Sequence, residues 1–77
     1  MTAVVFDCSF QNPKTGERRS VAVELTAHDL AAVAHVRLME GDAQADLHAQ
    51  AHALHHAYKQ VPRGFGHDAR PVRRWMQ

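Results

Sequence analysis

The stretch VVFDCSFQNPKTGERRSVAVEL, residues 4–25, decides the fold, because it alternates in polarity on both sides of a turn. In its first half Val4, Phe6, Cys8 and Phe10 share one face of an extended chain, while Val5, Asp7 and Ser9 share the other. In its second half Val21, Val23 and Leu25 alternate with Ser20, Ala22 and Glu24. Between the halves Asn12 suits the first turn position, Pro13 pre-sets φ, and Gly16 supplies the positive φ that closes a four-residue loop. Pairing Asn12 with Glu17 places Cys8 opposite Val21, Phe6 opposite Val23 and Val4 opposite Leu25, so turn chemistry and hydrophobic pattern specify the same hairpin. Cys8, on the apolar face, reads as a small buried hydrophobe rather than a nucleophile.

Downstream, LTAHDL carries a helix start, with Thr26 as N-cap and Asp29 three residues on, a capping box in which Asp replaces the usual Glu. Leu30, Val33, Ala34 and Leu38 form its apolar face, interrupted by Arg37, and EGD at 40–42 stops it. A strand over 33–39 is the rival, since Val33, His35 and Arg37 alternate with Ala34, Val36 and Leu38. A second helix, capped by Asp42, is predicted from 43 to about 60 because the segment is rich in alanine and leucine and free of Gly and Pro. Its band of Ala43, Leu47, Ala51, Leu54 and Tyr58, about 80° wide, is the expected core-facing stripe. The prolines and glycines of VPRGFGHDARP then break the helix.

The expected architecture is α+β: a two-stranded antiparallel β-hairpin followed by two α-helices (ββαα), one small domain over residues 1–62. A basic C-terminal extension over residues 63–77 follows, either docked or mobile. Two strands leave open sheet edges, so a homodimer formed by edge pairing into a four-stranded sheet is expected.

Composition narrows the function classes. A chain of 77 residues and 8.6 kDa holds one core and no more. Its net charge of +1 is unevenly placed: residues 1–58 carry four basic against seven acidic side chains, and residues 59–77 five against one. The single cysteine excludes an internal disulfide and a multi-thiolate zinc site within one chain, which fits a reducing, cytoplasmic setting. The start MTAVVFDCSF lacks a basic n-region and a long apolar core, so neither a signal peptide nor a membrane partner is expected.

The most unusual local feature is a run of four histidines in the second helix, His48, His52, His55 and His56, followed by Lys59. Helical geometry sets His55, His48, Lys59 and His52 beside the expected core stripe and His56 roughly opposite the core. A metal could take two histidines four apart, from His48, His52 and His56, but would need further ligands from His67, Asp68 or a second chain. HAQAH lacks the glutamate of the zinc-hydrolase motif HExxH, and no cofactor is implied. The plain alternative is a solvated face, and a third is a partner-binding surface that charges as pH falls past about 6.5, the ordinary imidazole range.

In the extension Arg63, Arg70, Arg73 and Arg74 are interleaved with Phe65 and Trp75, which suits contact with phosphates and bases, anchoring of a protein interface, or capping of the domain's own core. No Ser/His/Asp set or phosphate-cradling glycine loop is present, so no enzyme is expected. Residues 19–54 resemble the strand, helix, turn, helix pattern of ribbon-helix-helix repressors, with Val21, Val23 and Leu25 at the buried strand positions and GDAQADL at the turn. That resemblance implies groove reading by the outward residues Ser20, Ala22 and Glu24, of which the glutamate and alanine suit a phosphate-lined surface poorly. The sequence therefore points first to a small adaptor or regulator that binds a protein partner through the histidine helix and the Arg and Trp tail, and second to a nucleic-acid-binding regulator.

Overall fold

The computed structural model describes residues 3–74. Its first two strands, β1 (Val5–Gln11) and β2 (Arg18–Glu24), form the expected hairpin, with Cys8 opposite Val21 and Phe6 opposite Val23. The turn works as its residues suggest: Asn12 Oδ1 accepts from the Lys14 N–H at 2.9 Å, the Gly16 N–H donates to Asn12 O at 2.7 Å, and Gly16 has φ +76°.

Helix α1 (Ala27–Glu40) opens on a complete capping box. Thr26 Oγ1 accepts from the Asp29 N–H at 3.1 Å, and Asp29 Oδ2 accepts from the Thr26 N–H at 2.9 Å. Residues 33–39 are therefore helical, and the rival strand is not formed. Gly41, at φ +94°, ends α1 by donating to Arg37 O at 3.0 Å, and α2 (Asp42–Tyr58) starts at once. Asp42 is thus the first residue of α2 rather than its cap, and its carboxylate lies 3.0 Å from Arg37 Nε. The helix stops at Tyr58, short of residue 60, where the Lys59 and Gln60 N–H groups tighten onto the carbonyls of His56 and Ala57.

The core corrects the expected face of α2. Ala45, Ala49, Ala53 and Ala57 are buried, three of them at 0% exposure, against a sheet that supplies Phe6, Cys8, Phe10, Val23 and Leu25. Of the stripe expected inside, Ala43 and Ala51 are exposed, Leu54 is half-buried, and Leu47 and Tyr58 stand 45% and 41% exposed. The reason is volume: the sheet already presents two phenylalanines, and an alanine ridge of period four lets the helix approach them closely where leucines would hold it off. On α1, Val33 is buried and Leu30 and Val36 partly so, whereas Ala34 is exposed and Leu38 is 82% exposed, which corrects that face too.

The extension joins the sheet. β3 (Gly66–His67) and β4 (Val72–Arg74) both pair antiparallel with β1, with His67 opposite Phe10 and Arg74, Arg73 and Val72 opposite Val5, Phe6 and Asp7. Residues 68–71 bulge between the two short strands, with Pro71 buried and the Asp68 N–H donating to Ser9 O at 3.1 Å. The sheet thus has β1 at its centre, and the expectation of two open edges is corrected: the tail occupies the second edge of β1. Phe65 is buried against the core, while Trp75 lies outside the described residues. Among the described residues no helix is long and apolar enough to cross a membrane.

Candidate functional site

The alanine ridge places its neighbours. His52 and His56 flank it, four residues apart, on the side that meets the first turn of α1. There His52 Nδ1 lies 2.8 Å from Asp29 Oδ1, and His56 Nε2 lies 2.8 Å from Asp29 Oδ2. Asp29 is only 4% exposed, and its Oδ2 also accepts the Thr26 N–H. Burial pushes the Asp29 carboxyl up, but the Thr26 backbone N–H, the His56 ring, the Thr26 hydroxyl and the His52 ring together outweigh burial and hold it well below the usual carboxylate range. With an ionised carboxylate as acceptor, His52 donates through Nδ1 and His56 through Nε2, which leaves His52 Nε2 and His56 Nδ1 as the remaining ring nitrogens.

The placement of His56 is a correction, since it faces Asp29 rather than lying opposite the core. His48 and His55 are exposed, with the His55 ring edge-on to His56 at 5.8 Å. Among the described residues no three His, Cys, Asp or Glu side chains are placed to hold a metal ion, so the candidates His48, His52 and His56 do not converge as a ligand set. Sequence reasoning read Asp29 only as a cap and missed it as the acceptor for the histidines. The available signal was an acidic cap residue together with a histidine pair of helical spacing.

Once His52 and His56 are engaged, a distinct face of α2 remains. Gln44, His48, Ala51, His55 and Lys59 are all exposed and fall within roughly 80° of helix azimuth. Asp42 and Asp46 project roughly 120° to 160° away from His48, beside Arg37, whose guanidinium reaches them at 3.0 and 4.0 Å. That face carries no acid.

The tail positions its own groups. Tyr58 packs edge-on against Phe10 at 5.0 Å, and its hydroxyl shares a hydrogen bond with His67 Nδ1 at 2.7 Å and accepts the His67 N–H at 3.1 Å, so it latches β3 to the end of α2. Arg74 is held by the Asp7 carboxylate, with Nε at 3.2 Å, while Arg73, opposite Phe6, lines a cleft of about 360 Å³ in which Val4, Leu25, Leu30 and Val33 meet the polar side chains of Arg37, Asp46 and Gln50. Arg63 and Arg70 are exposed. Cys8 is fully buried, and burial, with a smaller push from the charge of Asp7, raises its thiol pKa. On β2 Ser20, Ala22 and Glu24 are exposed.

The fold and site together define a ββαα domain clasped by a His–Asp–His contact, with its C-terminal segment laid along the central strand. Comparisons with protein-family models, with curated proteins and with solved structures find no match to this chain.

Proposed function

We propose that this protein is a small non-enzymatic binding module, an adaptor or regulator acting as a homodimer, that docks an acidic segment of a protein partner on α2 and the adjoining tail arginines. The observation that carries the reading is the acid-free exposed face of Gln44, His48, Ala51, His55 and Lys59, continued by Arg63. Lys59 and Arg63 supply its cations among small or polar side chains, a shape and charge that suit a helix or strand bearing carboxylates. The non-enzymatic part rests on how the reactive groups are used: the Cys8 thiol is buried, and both Asp29 oxygens are occupied by structural donors. The nucleic-acid reading has less support, because the strand that would read a groove presents Glu24 and already pairs with β1 along one side.

The test is titration of the isotope-labelled protein with an acidic peptide of alternating Glu and Leu, followed by amide chemical shifts. Shifts along α2 from 44 to 59, and binding weakened at least about tenfold by K59E with R63E, are expected. Shifts confined elsewhere, or a double variant that binds as tightly, would overturn the reading. A DNA duplex bound more tightly than the peptide, with affinity falling steeply in salt, would favour the second reading. Point variants are preferable to tail deletion, because removing β3 and β4 also uncovers β1.

A further inference from the structure

The tail leaves the sheet with two unequal edges. On one side β3 and β4 are two and three residues long and are separated by a bulge containing Pro71. On the other side β2 runs for seven residues, RRSVAVE, with no Pro, Gly or bulge. Sheets usually protect such an edge, and this one carries none of the usual blocks at its centre.

Parity decides which backbone groups it offers. The Asn12 N–H donates to Glu17 O and the Leu25 N–H donates to Val4 O, so the odd-numbered residues of this arm bond inward to β1. An antiparallel ladder alternates, so Arg18, Ser20, Ala22 and Glu24 direct their N–H and C=O groups outward. We infer that this free edge pairs antiparallel with β2 of a second copy, about a two-fold axis through Val21.

The register follows from charge. With the axis at Val21, all four outward residues find partners: Arg18 lies opposite the partner's Glu24, Ser20 opposite the partner's Ala22, and the reverse holds across the axis. Moving the axis to Ser20 leaves Glu24 beyond the pairing, and moving it to Ala22 leaves Arg18 beyond it. An axis at an inward-bonding residue other than Val21 shortens the ladder in the same way. Only the Val21 register sets both ends of one strand against opposite charge. It also brings the half-buried Val21 against its own copy at a non-hydrogen-bonded position, where side chains approach most closely. The inference rests on the homodimer in the function proposed above and specifies its interface.

Sedimentation of the full chain over a concentration series tests it. The wild type is expected to dimerise, and A22P to weaken the dimer by about thirtyfold or more, since two symmetry-related outward N–H donors are lost. The substitution leaves the hairpin's own hydrogen bonds in place, and far-UV circular dichroism checks that fold is retained. R18E makes both ends of the edge acidic and E24R makes both ends basic. Each alone is expected to associate at least about tenfold more weakly, while an equimolar mixture forms the heterodimer. If A22P fails to fold, the charge pair decides. A monomeric wild type overturns both this interface and the homodimer of the proposed function. A dimer indifferent to A22P and to both charge variants overturns the interface alone.

Discussion

Asp29 and His56 lie 27 positions apart in sequence and 2.8 Å apart in space. The Asp29 side chain is at once half of the capping box that starts α1 and the acceptor that holds the last two turns of α2 through His52 and His56. Helix initiation and helix–helix docking are therefore joined in one carboxylate.

Loss of that carboxylate is expected to cost more than loss of the cap alone. T26A removes a capping hydroxyl and is expected to destabilise by about 1 kcal/mol. D29A removes the acceptor of two imidazoles and of the Thr26 N–H, and about 2 to 4 kcal/mol is expected. A domain of this size is stable by only about 4 to 12 kcal/mol, so urea unfolding should separate the two clearly. Equal midpoints would show that the histidine contacts carry no stability.

The same group predicts the acid limb of stability. Asp29 is held below its ordinary value of 3.8 in the folded protein, so the unfolded chain binds more protons at low pH. Its contribution is full above the unfolded carboxylate range and is lost as pH falls below about 4 toward the folded pKa. Urea midpoints measured from pH 6 down to pH 2 should decline more steeply for the wild type than for D29N. Parallel curves would contradict this.

The alanine ridge predicts an inverted substitution pattern on α2. A53L inserts three carbons where there is no exposed surface and is expected to cost about 1 to 3 kcal/mol or more. L47A, at a largely solvated position, should change stability by no more than about 0.5 kcal/mol. Thermal or urea unfolding of the pair checks the order, and a larger loss from L47A would restore the leucine stripe to the core.

The latch of Tyr58 on β3 predicts a local effect. Y58F keeps the edge contact with Phe10 but loses both hydrogen bonds to His67, about 1 kcal/mol at the usual net strength. Hydrogen exchange should quicken at the His67 and Asp68 amides while the β1–β2 ladder keeps its protection. Uniform loss of protection would mean that the tail does not open independently.

What the sequence determined by itself is what short windows encode. The hairpin register follows from Asn12, Pro13 and Gly16 acting on two alternating runs, and the start of α1 follows from Thr26 and Asp29, because turn and cap energies depend on residues three to five apart. The tertiary structure decided which face of α2 is inside. An alanine ridge and a leucine ridge share that helix, and hydrophobicity ranks leucine first, but the space left by Phe6 and Phe10 admits only the smaller side chains. It decided the partner of Asp29, whose capping role is local and whose contact with His52 and His56 depends on which ridge is buried. It also decided the course of the tail, since strands of two and three residues carry too little periodic pattern to read, and their hydrogen bonds are made to backbone some 60 residues away in sequence. The acid-free face of α2 was visible only after His52 and His56 had been subtracted from the histidine cluster, a subtraction that burial alone performs.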